Sequence, residues 1–394
     1  MTIAERVGSS PDLVDAPIAP EVPQIPYDEL RPDLYPADDG PVRDRLLYTT
    51  QMIALVAKAQ IEYMQPEPLL IDLPKPEKKS RVLSLDNTSA DITEILLGGL
   101  PCRGFMKIFE GKKEKQDHKG GLDIKTLGGM QGDGDEQTDL GQDPIEGSDG
   151  AAHNRKGTIS SLASGTRGGI LEAPKGIIKE EIHYMEKLFA QPNLKGIVSL
   201  EKSPEENLRA AAEHLSVDPA DFEITVLNRD RNKKLIEAIE DFGGKVNLIE
   251  FGDLVPALKA MTDDQKDGII RMVMGIGGWE EGILAAIAAK ALGAVAQGRM
   301  AEVWEDENKK EQHVVYPQLL EIDDLAPTLK EHAAVFFTAI TDIPEFDMKG
   351  VDLKNGYAQC MVIDKDGFHK QGFLFNPDEA KRFAKPHVDA LKAA

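Results

Sequence analysis

The segment Asp143-Pro144-Ile145-Glu146-Gly147-Ser148 places two carboxylates and a hydroxyl within six residues. Pro144 and Gly147 fix a turn between them, so Asp143 and Glu146 can face one hard cation together. Ser148 can hold a water beside that cation. Those parts suit metal-assisted hydrolysis of a phosphate ester. An acidic surface turn is the other reading of the same hexapeptide, and the rest of the chain has to decide between them.

Four further acids stand where active-site groups collect in layered α/β proteins, at strand ends and helix starts. Asp91 is expected to begin a helix and Glu110 to end a strand. Asp253 follows a strand, and Glu281 begins the helix after Gly275-Ile276-Gly277-Gly278. Singly, each is a cap or a surface charge. Together they supply the oxygen ligands that two or three Mg²⁺ ions need. Arg229 and Arg231, two apart just past a strand, are expected to project the same way and grip a phosphate, or else to form a solvated basic patch. The glycine segment fits neither a dinucleotide fingerprint nor a Walker A loop. It predicts close backbone approach to a ligand or phosphate at a helix N-terminus, with Gly277 at its centre. Tyr184 can donate to a sugar or phosphate oxygen, although its period alone places it in the core.

The elements that must position these residues are legible in part. Residues 1–42, rich in Pro, Asp and Glu, read as an extended or disordered arm. Leu46, Leu47, Met52, Ile53, Leu55, Val56, Ala59 and Tyr63 recur near a 3.6 period and predict a helix from Arg43 to Met64. The proline-rich residues 65–80 read as a connection. A short helix is expected over Asp91–Leu97, entered from Asn87, Thr88 and Ser89, and a strand over Phe105–Phe109. Gly111–Gln142 reads as one long loop, in which Asp133, Asp135 and Glu136 form an incomplete calcium-loop pattern. Short strands are expected around Tyr184 and Leu188. Ser203-Pro204-Glu205-Glu206 is a helix start with a capping box. Strands at Phe222–Leu227, Val246–Ile249 and Gly268–Met274 alternate with helices at Asn232–Phe242 and Leu254–Met261, which argues for a parallel sheet under helices. Ligands then lie beyond the carboxyl ends of its strands. Ala333–Ile340 is a further apolar run. Asp364-Lys365-Asp366-Gly367 turns a hairpin over Ala358–Phe375.

Composition excludes several classes. The formal net charge is −22, which argues against a nucleic acid as partner. Only Cys102 and Cys360 are present, without a C-x-x-C spacing, so no disulfide framework or zinc site is expected. The N-terminus lacks a secretory pattern, and no apolar stretch is long enough to span a membrane. These features predict a soluble, cytoplasmic chain with room for about two domains. The division expected is an arm over 1–42, a metal-binding subdomain over 43–215 and a second α/β subdomain over 216–394.

From about residue 43 onward the chain resembles the class II fructose-1,6-bisphosphatases. The resemblance rests on D-P-I-E-G-S at 143–148, Y-M-E-K-L at 184–188, R-D-R-N at 229–232, G-I-G-G-W-E-E-G at 275–282 and Phe336 to Asp342. It implies a layered α/β/α/β/α sugar-phosphatase fold, with a mixed-sheet subdomain and a second sheet subdomain. It implies Mg²⁺ or Mn²⁺ held by Asp91, Glu110, Asp143, Glu146 and Glu281, with Asp86 as the alternative to Asp91. Ser148, where the family usually has Thr, would orient the attacking water, with Asp143 and Glu110 catalytic beside it. Tyr184, Arg229, Arg231 and Gly277 would contact the bisphosphate, and Asp253 the sugar. A homo-oligomer is also implied.

The chain departs from the family pattern at Lys112, which replaces an acid beside Glu110, and at Phe251, which replaces an acid before Asp253. It departs also at residues 149–156 and at Trp279-Glu280. Three functions follow. The first is a fructose-1,6-bisphosphatase that also accepts sedoheptulose-1,7-bisphosphate. The second is a phosphatase of the same fold for another phosphorylated sugar or inositol. The third is a catalytically weak regulatory paralogue.

Overall fold

Ser203 Oγ accepts a hydrogen bond from the Glu206 amide at 3.2 Å, and Glu206 Oε2 accepts one from the Ser203 amide at 2.8 Å. This reciprocal capping box starts the helix Pro204–Leu215 where the sequence predicts it. The computed structural model describes residues 42–64, 75–98, 100, 102–109, 130–131, 137–171, 184–262, 268–307 and 310–393. The expected arm up to residue 41, the connection at 65–74, the acids Asp133, Asp135 and Glu136, and both Glu110 and Lys112 lie outside the described residues.

Two long helices come first, α1 (Val42–Met64) and α2 (Lys75–Gly98). One mixed sheet takes strands from both ends of the chain. These are β1 (Arg103–Phe109), β2 (Met130–Gln131), β3 (Gln137–Glu146) and β4 (Ile159–Thr166), then β12 (Ala334–Ala339), β13 (Tyr357–Asp364) and β14 (Gly367–Leu374). Their spatial order is β14-β13-β12-β4-β3-β1-β2, with only β1 and β3 parallel. The segment between β4 and β12 builds the second sheet. It contains β5 (Tyr184–Ala190), β6 (Phe222–Leu227), β7 (Lys245–Ile249), β8 (Ile270–Gly278), β9 (Val295–Glu305), β10 (Glu311–Val315) and β11 (Leu320–Glu321). Here β7, β6 and β8 run parallel, as the alternating pattern predicts, while β5 lies antiparallel between β8 and β9.

Three helical layers separate and cover the sheets. α1, α2 and α8 (Pro377–Ala393) pack together on the outside of the first sheet. α6 (Leu254–Ala260) and α7 (Trp279–Leu292) lie between the sheets, and α4 (Pro204–Leu215) and α5 (Lys233–Phe242) cover the second. The result is the α/β/α/β/α order. α7 contacts both sheets and buries every residue from Gly282 to Ala289, which is why its sequence is apolar all round.

Three expectations need correction. Asp91 does not begin a helix. α2 runs unbroken through Asn87, Thr88 and Ser89, so Asp91 lies well inside it and far from the N-terminal amides. The part of the expected loop from Gln137 onward is β3. Its buried residues include Asp139 and Gln142, so apolar alternation could not reveal it. Asp139 is satisfied by Arg167 at 2.7 Å and the Gly168 amide at 2.8 Å. Finally, Gly275–Gly278 is not a loop: β8 runs through these glycines and passes directly into α7.

Candidate active site

Asp143 and Glu146 are three residues apart, so on a regular strand they would face opposite ways. The pairing of β3 with β4 shifts register between them: Asp143 lies opposite Ser161 and Glu146 opposite Ile159. This bulge adds one residue to β3 and turns both carboxylates to the same side. Asp143 Oδ1 accepts the Ile145 amide at 3.1 Å, which closes the turn across Pro144. Both acids are buried and lie beside each other. Glu146 Oε1 also accepts the Leu254 amide at 3.1 Å, at the start of α6. Burial pushes the Glu146 carboxyl above its ordinary range, and the adjoining Asp143 side chain and the Leu254 amide offset this only in part.

Ser148 follows at the first position of the short helix α3 (Ser148–Ala152). The turn before it needs Gly147, whose φ is 74°. The Phe251 ring seals that turn. A Cβ at Gly147 would come within 2.6 Å of the ring, and one at Gly150 within 2.2 Å.

At the centre of the remaining acids lies Lys187, only 1% exposed. Its ammonium is 2.6 Å from Asp253 Oδ2 and 2.8 Å from Asp253 Oδ1, and it donates to the Gly278 carbonyl at 2.8 Å. Burial opposes its charge, but Asp253, Glu281 and Glu146 outweigh burial and hold its pKa above the ordinary value. Glu281 Oε2 is buried and accepts no hydrogen bond among the described residues. Burial, followed by Glu146, Asp253 and Glu280, drives the Glu281 carboxyl up to about 8, against the pull of Lys187. Gly277 makes room for this arrangement: a Cβ there would lie 2.4 Å from Asp253 Oδ2 and 2.9 Å from Lys187 Nζ.

The opposite face of β5 carries Tyr184. The Arg231 guanidinium sits 4.8 Å from the Tyr184 ring centre. Arg231 Nη1 donates to Glu311 Oε1 at 2.7 Å and Nε to the Ile276 carbonyl at 3.1 Å. Asn232 latches the same stretch of β8, with its Oδ1 accepting the Ile276 amide at 2.8 Å. Arg229 does not follow Arg231. It turns to the Glu250 and Asn228 carbonyls, at 2.6 and 2.9 Å.

The fold therefore gathers Glu146, Asp253 and Glu281 around Lys187, with Asp143 beside Glu146, and places Tyr184 with Arg231 across the sheet from them. Asp86 and Asp91 are both half-buried on α2, which packs against β3 and α3. Five residues apart on a helix, they face directions roughly 140° apart. Among the described residues no three His, Cys, Asp or Glu side chains form a ready metal cluster. The donors nonetheless suit a hard cation. Asp143 and Glu146 are two adjoining buried carboxylates, and Glu281 keeps one buried oxygen uncommitted. Lys187 and Glu311 are the residues that motif reasoning passes over. Lys187 had a signal, since it shares its strand face with the buried Met185 and Phe189. Glu311 had none.

Two mixed sheets enclosing α6 and α7, with buried acids gathered at the end of β3 and the β8–α7 junction, define a layered α/β protein with an oxygen-rich site. The chain belongs to the bacterial, glpX-encoded fructose-1,6-bisphosphatase family, whose model matches residues 82–366. It is similar to the D-fructose 1,6-bisphosphatase class 2/sedoheptulose 1,7-bisphosphatase of Synechococcus sp. (strain JA-3-3Ab), 38% identical over 164 residues, 42% of this chain and 44% of that one. The protein of the same name in Thermosynechococcus vestitus is 32% identical over 245 residues, 58% of this chain and 67% of that one. The chain thus spans less than half the length of the Synechococcus relative it matches. Among the described residues no helix is long and apolar enough to cross a membrane.

Proposed function

We propose that this protein is a divalent-metal-dependent phosphoric monoester hydrolase that removes the 1-phosphate of a sugar bisphosphate. Fructose 1,6-bisphosphate is the first substrate and sedoheptulose 1,7-bisphosphate the second. The observation that carries this reading is the bulge in β3, which turns Asp143 and Glu146 to one side immediately before Ser148. Asp143 and Glu146, with Glu281, Glu110 and either Asp91 or Asp86, would hold Mg²⁺ or Mn²⁺. Such an ion, when bound, supplies charge against the phosphoryl oxygens and acidifies water. Ser148 orients the attacking water through its hydroxyl. Lys187 fixes Asp253, which meets the sugar hydroxyls. Tyr184 and Arg231 hold the second phosphate, with Arg229 at the rim. The enzyme works in the cytoplasm as a homo-oligomer.

Phe251 favours a second reading, a phosphatase for another phosphorylated sugar. Its ring covers the turn that carries Ser148, where the family places an acid. One assay separates the two. Phosphate release is measured on both bisphosphates and on a panel of sugar monophosphates, with Mg²⁺, with Mn²⁺ and with EDTA. Metal-dependent turnover of a bisphosphate that disappears in a folded Asp143→Asn variant supports the first reading. Turnover of monophosphates alone supports the second. No metal-dependent turnover on any substrate sinks both and leaves a regulatory paralogue.

A further inference from the structure

Arg231 is the most constrained guanidinium beside the candidate site. Its side chain is 5% exposed. Two of its three nitrogens are committed, Nε to the Ile276 carbonyl and Nη1 to Glu311, and its plane lies over Tyr184. Gly277, next along β8 from Ile276, abuts the Lys187–Asp253 pair, so the anchoring carbonyl is one residue from that pair. Glu311 comes from β10, at the end of the second sheet. Its Oε1 accepts from Arg231, while its Oε2 is buried and accepts nothing among the described residues. Serving Arg231 is the one hydrogen-bonding task the described residues give this carboxylate.

We infer that Glu311 is a positioning residue that sets the specificity of the site for a second phosphate. It pins one edge of the Arg231 fork so that Nη2 is presented to the far phosphoryl group of a bisphosphate. The inference rests on the reading of Arg231 as a substrate contact. A guanidinium already held by a carbonyl, a carboxylate and a ring loses little freedom when it meets a phosphate. Without Glu311 the fork is held only by the Ile276 carbonyl and the Tyr184 ring, and the advantage of carrying a second phosphate shrinks. That selectivity is a ratio of kcat/KM values, so it separates positioning from a general loss of structure.

The test compares fructose 1,6-bisphosphate with fructose 1-phosphate in wild type, Glu311→Gln, Glu311→Asp, Arg231→Ala and the Arg231→Ala/Glu311→Gln double variant. Thermal melts confirm folding, and Glu311→Gln conserves volume. The bisphosphate preference is expected to fall about tenfold in Glu311→Gln, through KM rather than kcat, and to recover in part in Glu311→Asp. The double variant should match Arg231→Ala, because Glu311 acts through Arg231. If Glu311→Gln lowers both substrates equally, Glu311 is only structural and the inference is overturned. If it raises the preference, Glu311 competes with the phosphate and the inference is likewise overturned. An Arg231→Ala variant with unaltered preference removes the substrate role of Arg231 itself. A wild type inactive on both sugars refutes the proposed function instead.

Discussion

Tyr184 and Lys187 lie three residues apart on β5 and face opposite ways, and the two faces handle charge differently. On the inner face one ammonium, Lys187, stands among Asp253, Glu281 and Glu146. On the outer face the guanidiniums are matched singly with acids, Arg231 with Glu311 at 2.7 Å and Arg299 with Glu186 at 3.5 Å. The inner face carries more carboxylate than it can neutralise, and burial magnifies the imbalance. It is built to receive positive charge. The outer face is balanced and only partly buried, so its arginines are held for orientation. Under the proposed function, chemistry belongs to the unbalanced face and recognition to the balanced one.

The strongest way to break this comparison is to remove Lys187 from the inner face. Lys187→Met leaves Asp253 buried without its partner, at a cost of about 3–5 kcal/mol in urea unfolding. Adding Asp253→Asn should return part of that loss, and a strictly additive double variant would show that the pair is not coupled. A smaller effect is expected at Phe251, which supports the turn carrying Ser148. Phe251→Ala removes a half-buried ring packed on Gly147 and Gly150, at a cost of about 2 kcal/mol. Turnover should fall with it. Full turnover with lowered stability would detach this turn from the chemistry. The smallest effect lies on the outer face. Burial lifts the Glu186 carboxyl above its ordinary 4.5, and Arg299 offsets this only in part. A raised carboxyl contributes stability that is fully present below the unfolded value and lost as pH rises through the folded one. Melting temperature should therefore drift down as pH rises from about 4.5 toward neutrality, and Glu186→Gln should flatten that drift. An unchanged slope in the variant would assign the drift to other groups.

Legibility followed the kind of force that shapes each element. The stretch from Ser203 to Ala260 was readable because caps, apolar stripes and strand runs agree there. The box at Ser203, the strand at Phe222 and the helix over Lys233–Phe242 all formed where expected. β3 was hidden because buried Asp139 and Gln142 occupy positions that apolar residues usually mark. The interior placement of Asp91 was hidden because Asn87, Thr88 and Ser89 imitate a helix start, while α2 continues through them. The glycines of β8 suggested a loop, but the strand runs through them, and Gly277 and Gly278 lie close to Lys187, Asp253 and Glu281.

By itself the sequence determined the chemical inventory: the acids and hydroxyl of 143–148, the arginines after β6, the alternation of strands and helices, and the likeness to a family. Those are local patterns, written in residue type and spacing. Tertiary structure alone decided which charges share a space. A bulge turned Asp143 and Glu146 to one side, the start of α6 set Asp253 against Lys187 of β5, and β10 brought Glu311 to Arg231 across 80 residues of chain. Burial and proximity between distant segments set the strength of a charge, and neither is encoded at any one position.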